Sequence, residues 1–341
     1  MRRRSVLLAV PALMLTAAGC GDDSKGSSST PSSSSSTTPP ASPTDSATGS
    51  ATPSAEIVSG PVPAITAGTG FNQKPTVAKG TGTPSDKLAV KTVIKGDGAK
   101  IAGGDYVQVN YVGQIWNTGK VFDTSFGKSP YTNVIGQGKL IPGWDQGLIG
   151  QQANSRVEMA IPPSLGYGDS GNAQAGIKGT DTLVFVIDVL ERFDGKSSSK
   201  GKVVPQTDAK LPKSGTNTDG KMPSLTIPKG VKAPTKLVSA YILEGDGPVI
   251  KSTDSVLAQY QGKVWSTGKE FDSSYSRGEL AAFELSQLIQ GWQQGLVGKK
   301  AGSRVLLVTP GSLAYGANPP SGSGIPKNAT LVFTLDVLAV L

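Results

Sequence analysis

The chain has 341 residues, 44 of them glycine and none histidine, with one cysteine and a formal charge of +8. The missing histidine excludes imidazole acid–base catalysis, Ser-His-Asp triads and nearly every zinc site, and a single cysteine excludes an intramolecular disulfide. Hydrophobic residues make up 37%, low for one compact unit of this length, and the shortfall is concentrated in Ser/Thr/Pro/Gly stretches.

In chain order the first element is a leader. Arg2, Arg3 and Arg4 form a positive start, residues 6–15 (VLLAVPALML) form a short apolar stretch, and small residues run on to Cys20. This is the layout of a targeting segment, shorter than a membrane-spanning helix. It resembles a bacterial lipoprotein signal peptide: Ala18-Gly19-Cys20 fit the lipobox, although Ala17 stands where leucine is more usual. The resemblance implies cleavage before Cys20 and diacylation of its sulfur, which would hold the protein on the outer face of the bacterial cell membrane. An ordinary secretory signal is the alternative, and the position of the lone cysteine favours the lipid. Arg3-Arg4-Ser5-Val6-Leu7 also resembles, in part, a twin-arginine export motif, so this route and the general secretory route both stay open. Without residues 1–19 the formal charge falls from +8 to +5, spread along the chain. A nucleic-acid partner would need a concentrated basic patch, and weak attraction to an anionic envelope is the expected consequence instead.

Residues 20–70 are dominated by Ser, Thr and Pro and predict a disordered tether. Beyond them the chain repeats itself. VNYVGQIWNTGKVFD (109–123) returns as AQYQGKVWSTGKEFD (258–272), and LIPGWDQGLIG (140–150) as LIQGWQQGLVG (288–298). SLGYG (164–168) returns as SLAYG (312–316), and TLVFVIDVL (182–190) as TLVFTLDVL (330–338). A period of this length is a whole domain rather than a solenoid unit. The expected division is domain 1 over 71–194, a polar linker over 195–218 and domain 2 over 219–341. Within each repeat the pattern predicts strands. Residues 88–98 and 237–247 end in Gly-Asp-Gly turns, 107–116 alternate with Val107, Val109 and Tyr111 on one face, and 156–162 and 182–190 alternate likewise. One short helix is expected over 142–150, opened by Pro142, with Ile141, Trp144 and Leu148 on a common face. A mainly antiparallel sheet closing over one helix is an α+β fold.

The set YxG, FD, (L/V)IxGW, YG and TLVF, in this order and spacing over 85–194 and 234–341, resembles the FKBP-type peptidyl-prolyl cis-trans isomerases. The resemblance implies a five-stranded antiparallel sheet wrapped around a short helix, with a pocket between them and no cofactor. In the first repeat it places Tyr111 and Phe122 on one wall and Trp144 on the floor, with Leu140 and Ile141 at the helix start. Tyr131 is the aromatic after Pro130. Tyr167, Ile177 and Phe185 form the rim and far wall, and Asp123 is the one acid. The second repeat matches at Tyr260, Phe271, Asp272, Leu288, Ile289, Trp292, Tyr315, Ile325 and Phe333. Two departures stand out. Ala281 occupies the place of Tyr131 in a stretch about two residues shorter, so one wall of the second pocket is expected to be missing. In the first repeat AGIKGTD (175–181) replaces the family's usual Gly-Ile-Pro run, which the second keeps at 324–326.

The implied activity is non-covalent isomerisation of X–Pro bonds in exported polypeptides, with macrolide immunosuppressants as further ligands. The Ile141 N–H would hold a substrate carbonyl, Tyr167 would donate a hydrogen bond, and Asp123 would act as an oriented dipole and acceptor. Plainer roles run beside these: Trp144 and Trp292 as core, Asp123 paired with Lys128, and Asp272 paired with Arg277. Two alternatives also remain, a binding module or holdase chaperone, for which the second repeat is the better candidate, and a structural surface lipoprotein with a decayed pocket.

Overall fold

The computed structural model describes residues 55–341; the leader, Cys20 and the first part of the tether expected over 20–70, up to residue 54, lie outside the described residues. Strand-forming runs rich in Val, Ile, Leu and aromatics build two sheets of the same design. The first repeat contains β1 (Ile57–Val58), β2 (Ile65–Ala67), β3 (Thr76–Val77), β4 (Leu88–Ile94), β5 (Tyr106–Ile115), β6 (Val121–Thr124), β7 (Tyr131–Val134), α1 (Pro142–Gly147), β8 (Arg156–Ile161) and β9 (Leu183–Phe193). The order across its sheet is β1-β4-β8-β9-β5-β6, with β7 also on β5. β6 meets β5 over 112–114 and β7 meets it over 106–109, so together they are one interrupted edge strand. The expected five antiparallel strands are therefore β4, β8, β9, β5 and this split edge, and β1 adds a short parallel pair along β4.

The second repeat follows suit with β10 (Lys202–Val203), β11 (Lys213–Ser214), β12 (Leu225–Thr226), β13 (Val238–Glu244), β14 (Ser255–Val264), β15 (Glu270–Ser273), α2 (Ser274–Arg277), β16 (Ala281–Glu284), α3 (Gln290–Leu296), β17 (Ser303–Thr309) and β18 (Leu331–Val340). Its order is β10-β13-β17-β18-β14-β15, with β16 also on β14.

α1 lies on the inner face of the first sheet and α3 on that of the second. Trp144 and Leu148 pack there with Val157, Met159, Ile161, Phe185 and Ile187. The first helix ends at Gly147, earlier than the expected residue 150, and Leu148 caps it by donating its N–H to the Trp144 carbonyl.

Both sheets are also covered on the outer face, and this departs from the alternating reading. All six residues of β8 and the first seven of β9 are buried. Residues 55–87 run across that outer face, where Val58, Val62 and Val77 pack on Ala89, Trp116, Ala160 and Val184. Residues 202–236 do the same for the second sheet, where Ile227, Val231 and Ala233 pack on Ile242, Trp265, Leu306, Val308 and Val332. Strands covered on both faces read as continuous apolar runs, which is why TLVFVIDVL and TLVFTLDVL hold so few polar residues.

A buried ion pair fixes each covering segment. Arg156 pairs with Asp188 at 2.6 Å, and its guanidinium also donates to the Gly68 carbonyl and, at 2.6 Å, to that of Gln73. Arg304 pairs with Asp336 at 2.5 Å and donates to the carbonyls of Gly215 at 2.7 Å and Asn217 at 2.9 Å. The expected tether is thus structured from residue 55 on. Much of the expected linker is bonded to the second repeat, because backbone groups can satisfy a buried ion pair whatever the local composition.

Candidate functional site

The inner face of the first sheet gathers the rings. Trp144 on α1 stands nearly perpendicular to Tyr111 on β5, 5.3 Å between centroids, and to Phe185 on β9, 5.2 Å. Edge-to-face contact sets the positive ring edge against the negative ring face. Phe122 on β6 meets Phe185 at 5.6 Å, and Tyr131 on β7 meets Tyr111 at 6.0 Å and Trp144 at 6.3 Å. Gly113 leaves space for this, since a Cβ there would lie 2.7 Å from the Phe185 ring and 2.8 Å from that of Phe122. Trp144 and Phe185 are each 4% exposed and Tyr131 36%, so the cluster grades from a buried floor to an open edge.

The remaining expected residues surround it. Leu140, Ile141 and Ile177 pack against the same core. Ile177 is turned inward by a two-way bridge with Asn172, its N–H donating to the Asn172 carbonyl at 2.9 Å and its carbonyl accepting at 2.8 Å. Tyr167 follows a 3-10 turn at Pro163–Leu165 and is 37% exposed; it stands outside the ring-to-ring network.

The polar groups are concentrated on one side. The Tyr111 hydroxyl donates to Asp123, whose other oxygen accepts from the Thr124 N–H at 2.7 Å and faces the Lys128 ammonium at 3.7 Å. Burial, and then the Asp123 carboxylate, raise the Tyr111 phenol well above its ordinary value, so it is a donor and not a base at physiological pH. The Ile141 carbonyl accepts from the N–H groups of Trp144 and Asp145, while its own N–H meets no acceptor among the described residues. The Trp144 indole N–H is likewise buried without a partner. No group of three or more Cys, Asp or Glu side chains suited to a metal ion occurs among the described residues.

The second site repeats the design with two exchanges. Trp292 meets Tyr260 at 5.4 Å and Phe333 at 5.3 Å, and Phe271 meets Phe333 at 5.7 Å. Ile325 is buried, and Leu288, Ile289 and Tyr315 pack against the same core. Ala281 does hold the register position of Tyr131, opposite Ala258 where Tyr131 lies opposite Val109. The wall expected to be missing is nevertheless filled: Phe283, two residues further along the same face of β16, meets Tyr260 at 5.6 Å and Trp292 at 5.4 Å. The period of two in a strand was the sequence signal for this substitution. The second exchange lies in the loop before the helix. Asp145 accepts there from the N–H groups of Gly136 and Gly138, whereas Gln293 at the matching position donates to the carbonyls of Ser286 and Leu288. The shorter loop is thus closed by the opposite polarity.

Asp272 accepts from the Tyr260 hydroxyl and from Arg277, whose second nitrogen donates to the Tyr260 hydroxyl at 3.0 Å. Both acid–base pairs expected from the spacing, Asp123–Lys128 and Asp272–Arg277, are present, the second the closer.

Comparison with known proteins gives one consistent answer. A family model described as FKBP-type peptidyl-prolyl cis-trans isomerase matches residues 98–190 and again 247–338. The FK506-binding protein of Streptomyces anulatus is 42% identical over 120 residues, 35% of this chain and 96% of that protein. The FKBP-type peptidyl-prolyl cis-trans isomerase FkpA of Escherichia coli K12 is 46% identical over 114 residues, 33% of this chain and 41% of that protein. Peptidyl-prolyl cis-trans isomerase FKBP10 of Mus musculus is 30% identical over 241 residues, 70% of this chain and 34% of that protein. The match thus spans less than half the length of the last two relatives.

Proposed function

The chain belongs to the FKBP-type peptidyl-prolyl cis-trans isomerase family, and from that premise we propose that it catalyses X–Pro isomerisation in exported polypeptides, in the aromatic clusters of both repeats. One observation carries the reading: perpendicular rings around Trp144 lie beside an Ile141 N–H that has no acceptor among the described residues.

Rotation about an X–Pro bond crosses a barrier of ~18–20 kcal/mol because it breaks amide resonance, and unaided exchange takes tens to hundreds of seconds. A twisted amide has lost its conjugation and is less polar than the planar one, so a dry aromatic site favours it over the ground state. The Trp144 ring is a floor for the pyrrolidine, the Ile141 N–H takes a substrate carbonyl, and the Tyr167 hydroxyl, at the exposed edge, donates a second hydrogen bond. Asp123, held by the Tyr111 hydroxyl and the Thr124 N–H, is an acceptor and a fixed dipole beside the twisting bond. No proton has to leave it.

The first site is the more active. The Tyr131 hydroxyl accepts from the Asn133 amide at 2.7 Å at its open edge, and Lys128 stands off from Asp123. In the second site Arg277 is committed to both Asp272 and Tyr260. That grip also supports a second reading for domain 2, a module that binds proline segments with little turnover. The protein named for FK506 binding among the relatives makes FK506 the natural probe of each site. Catalysis is measured by exchange in a proline peptide with one site disabled at a time, Asp123→Leu with Tyr167→Phe, or Asp272→Leu with Tyr315→Phe. A faster second site contradicts the ranking, and an unchanged rate in both variants sinks the catalytic reading. FK506 binding without exchange would leave a binding module. Lipid attachment at Cys20 accounts for the leader, and Cys20→Ala should then release the protein from the membrane fraction.

A further inference from the structure

Tyr111 and Tyr260, the tyrosines that hold the site acids, are each tied through the backbone N–H to a segment outside their own helix and sheet. In the first repeat three hydrogen bonds run in series. The Tyr111 N–H donates to the Ser125 hydroxyl at 3.0 Å, that hydroxyl donates to the Asn110 side-chain carbonyl at 3.0 Å, and the Asn110 amide donates to the Asn72 side chain at 2.8 Å. Asn72 belongs to the segment covering the outer face, and its N–H donates to Asp188 at 2.9 Å.

The second repeat rebuilds this series with different residues. The Tyr260 N–H donates to the Ser274 hydroxyl at 2.8 Å, Ser274 donates to the Gln259 carbonyl oxygen, and the Gln259 amide donates to the Gly195 carbonyl at 2.8 Å. Gln259 and Ser274 are fully buried, so no water replaces these bonds. Glutamine, one methylene longer than the asparagine at the matching position, reaches main chain where Asn110 reaches a side chain. That main chain is the exit of the first repeat, because Gly195 follows β9 by two residues. Gly195 also abuts the turn that carries Arg277: a Cβ there would lie 2.1 Å from the Gly278 carbonyl oxygen.

Both serines sit two residues beyond the site acid, Asp123 or Asp272, and both accept from the site tyrosine. The relay therefore fixes the distance between the tyrosine strand and the acid-bearing edge strand, on which the tyrosine–carboxylate hydrogen bond depends. Reacting geometry tolerates little displacement, and in the second repeat an opened relay would leave the buried Gln259 amide unpaired.

We propose that Asn72, Asn110 and Ser125 in the first repeat, and Gly195, Gln259 and Ser274 in the second, are positioning residues for X–Pro isomerisation, and that the second site is set in place by the chain leaving the first repeat. The inference rests on the catalytic reading above, and its test keeps the two apart. In the full chain with the second site disabled, Asn72→Gly removes the last acceptor while suiting the backbone, since φ at Asn72 is +57°, and Asn72→Asp retains an acceptor in the same conformation. Asn72→Gly should lower kcat by roughly 2–10-fold, the effect of one ordinary hydrogen bond, with KM unchanged, and Asn72→Asp should restore it. With the first site disabled instead, Gly195→Ala should lower kcat at the second site with KM unchanged and the folded signal retained. An Asn72→Gly variant with the parent kcat, an Asn72→Asp variant as slow as Asn72→Gly, or a Gly195→Ala variant with the parent kcat overturns the proposal. If disabling both sites together leaves the full rate, the catalytic reading falls first and this inference with it.

Discussion

Glu158 on β8 and Leu306 on β17 occupy matching places on the outer faces of the two sheets, and only one of them titrates. Glu158 is 2% exposed, one of its oxygens has no partner, and burial raises its carboxyl from 4.5 to about 7 against the opposing effect of Lys91 across the strand pair. Arg156, two residues along the same strand, is committed to Asp188 and leaves Glu158 uncompensated. The folded chain keeps this proton to about pH 7, whereas the unfolded chain releases it near 4.5. Between those values the unfolded state binds fewer protons, so this group's contribution to stability falls as pH rises through the window and is level above it. Glu158→Leu, copying the second repeat, should stabilise the protein at pH 8 by on the order of 2 kcal/mol and much less at pH 4. Melting curves of the two proteins that stay parallel across this range would contradict it. Phe283 offers a second case. Phe283→Ala should slow exchange at the second site and lower its melting temperature, whereas Ala281→Gly, at the position that looked decisive in the sequence, should do neither; the reverse ranking would return the wall to Ala281. Phe283 was legible as a period-two neighbour of a missing aromatic. The burial of Glu158 was not, because nothing in its own strand announces what lies over it.

At the scale of elements, the sheet, the short helix and the ring set could be read from the chain, because apolar periodicity and a repeated motif are local properties. The covering segments could not. Residues 55–87 and 202–236 are rich in Gly, Pro, Ser, Thr and Lys, a composition that reads as loop, and they are held by carbonyls, which every residue carries. Their only sequence signatures are the partners on the far strands: Arg156 with Asp188, and Arg304 with Asp336, each repeated at the same offset of 148. Removing one member of such a pair strands the other in the interior, which costs about 3–5 kcal/mol, while replacing both by apolar residues costs far less. Arg156→Met should therefore destabilise the first repeat by that amount and open residues 68–78 to protease, and adding Asp188→Leu should recover much of the stability. Loss of the same stability in the double variant, or no change in the single one, would show that the pair does not fix the segment.

For residues 55–341 as a whole, the composition of 195–218 suggests repeats that swing on a loose connection, and the bonding argues for a single cooperative unit. The Ser199 N–H donates to the buried Asp336 at 2.9 Å, Gly195 takes the Gln259 amide, and Lys202 and Val203 pair with β13. Tyr275, on the turn beside the second site, donates to the same Asp336 at 2.8 Å, so one carboxylate ties the connecting chain to that turn. Beside these bonds runs an apolar seam that composition alone does not reveal. Phe193 and Tyr106 of the first repeat pack with Leu257, Leu338, Leu280 and Ala282 of the second, and Phe193 is 8% exposed, Leu257 fully buried. Two bodies sharing a desolvated seam unfold together when opening it costs more than either can lose alone. The protein should therefore melt in one calorimetric transition whose van't Hoff and calorimetric enthalpies agree. Phe193→Ala, which empties the seam from the first-repeat side at a cost of up to about 3–5 kcal/mol, should split that transition in two while leaving the ring clusters and first-site exchange intact. Two transitions in the unmodified protein, or one in the variant with an unchanged midpoint, would mean that the repeats are joined by the chain alone and that the seam carries no stability.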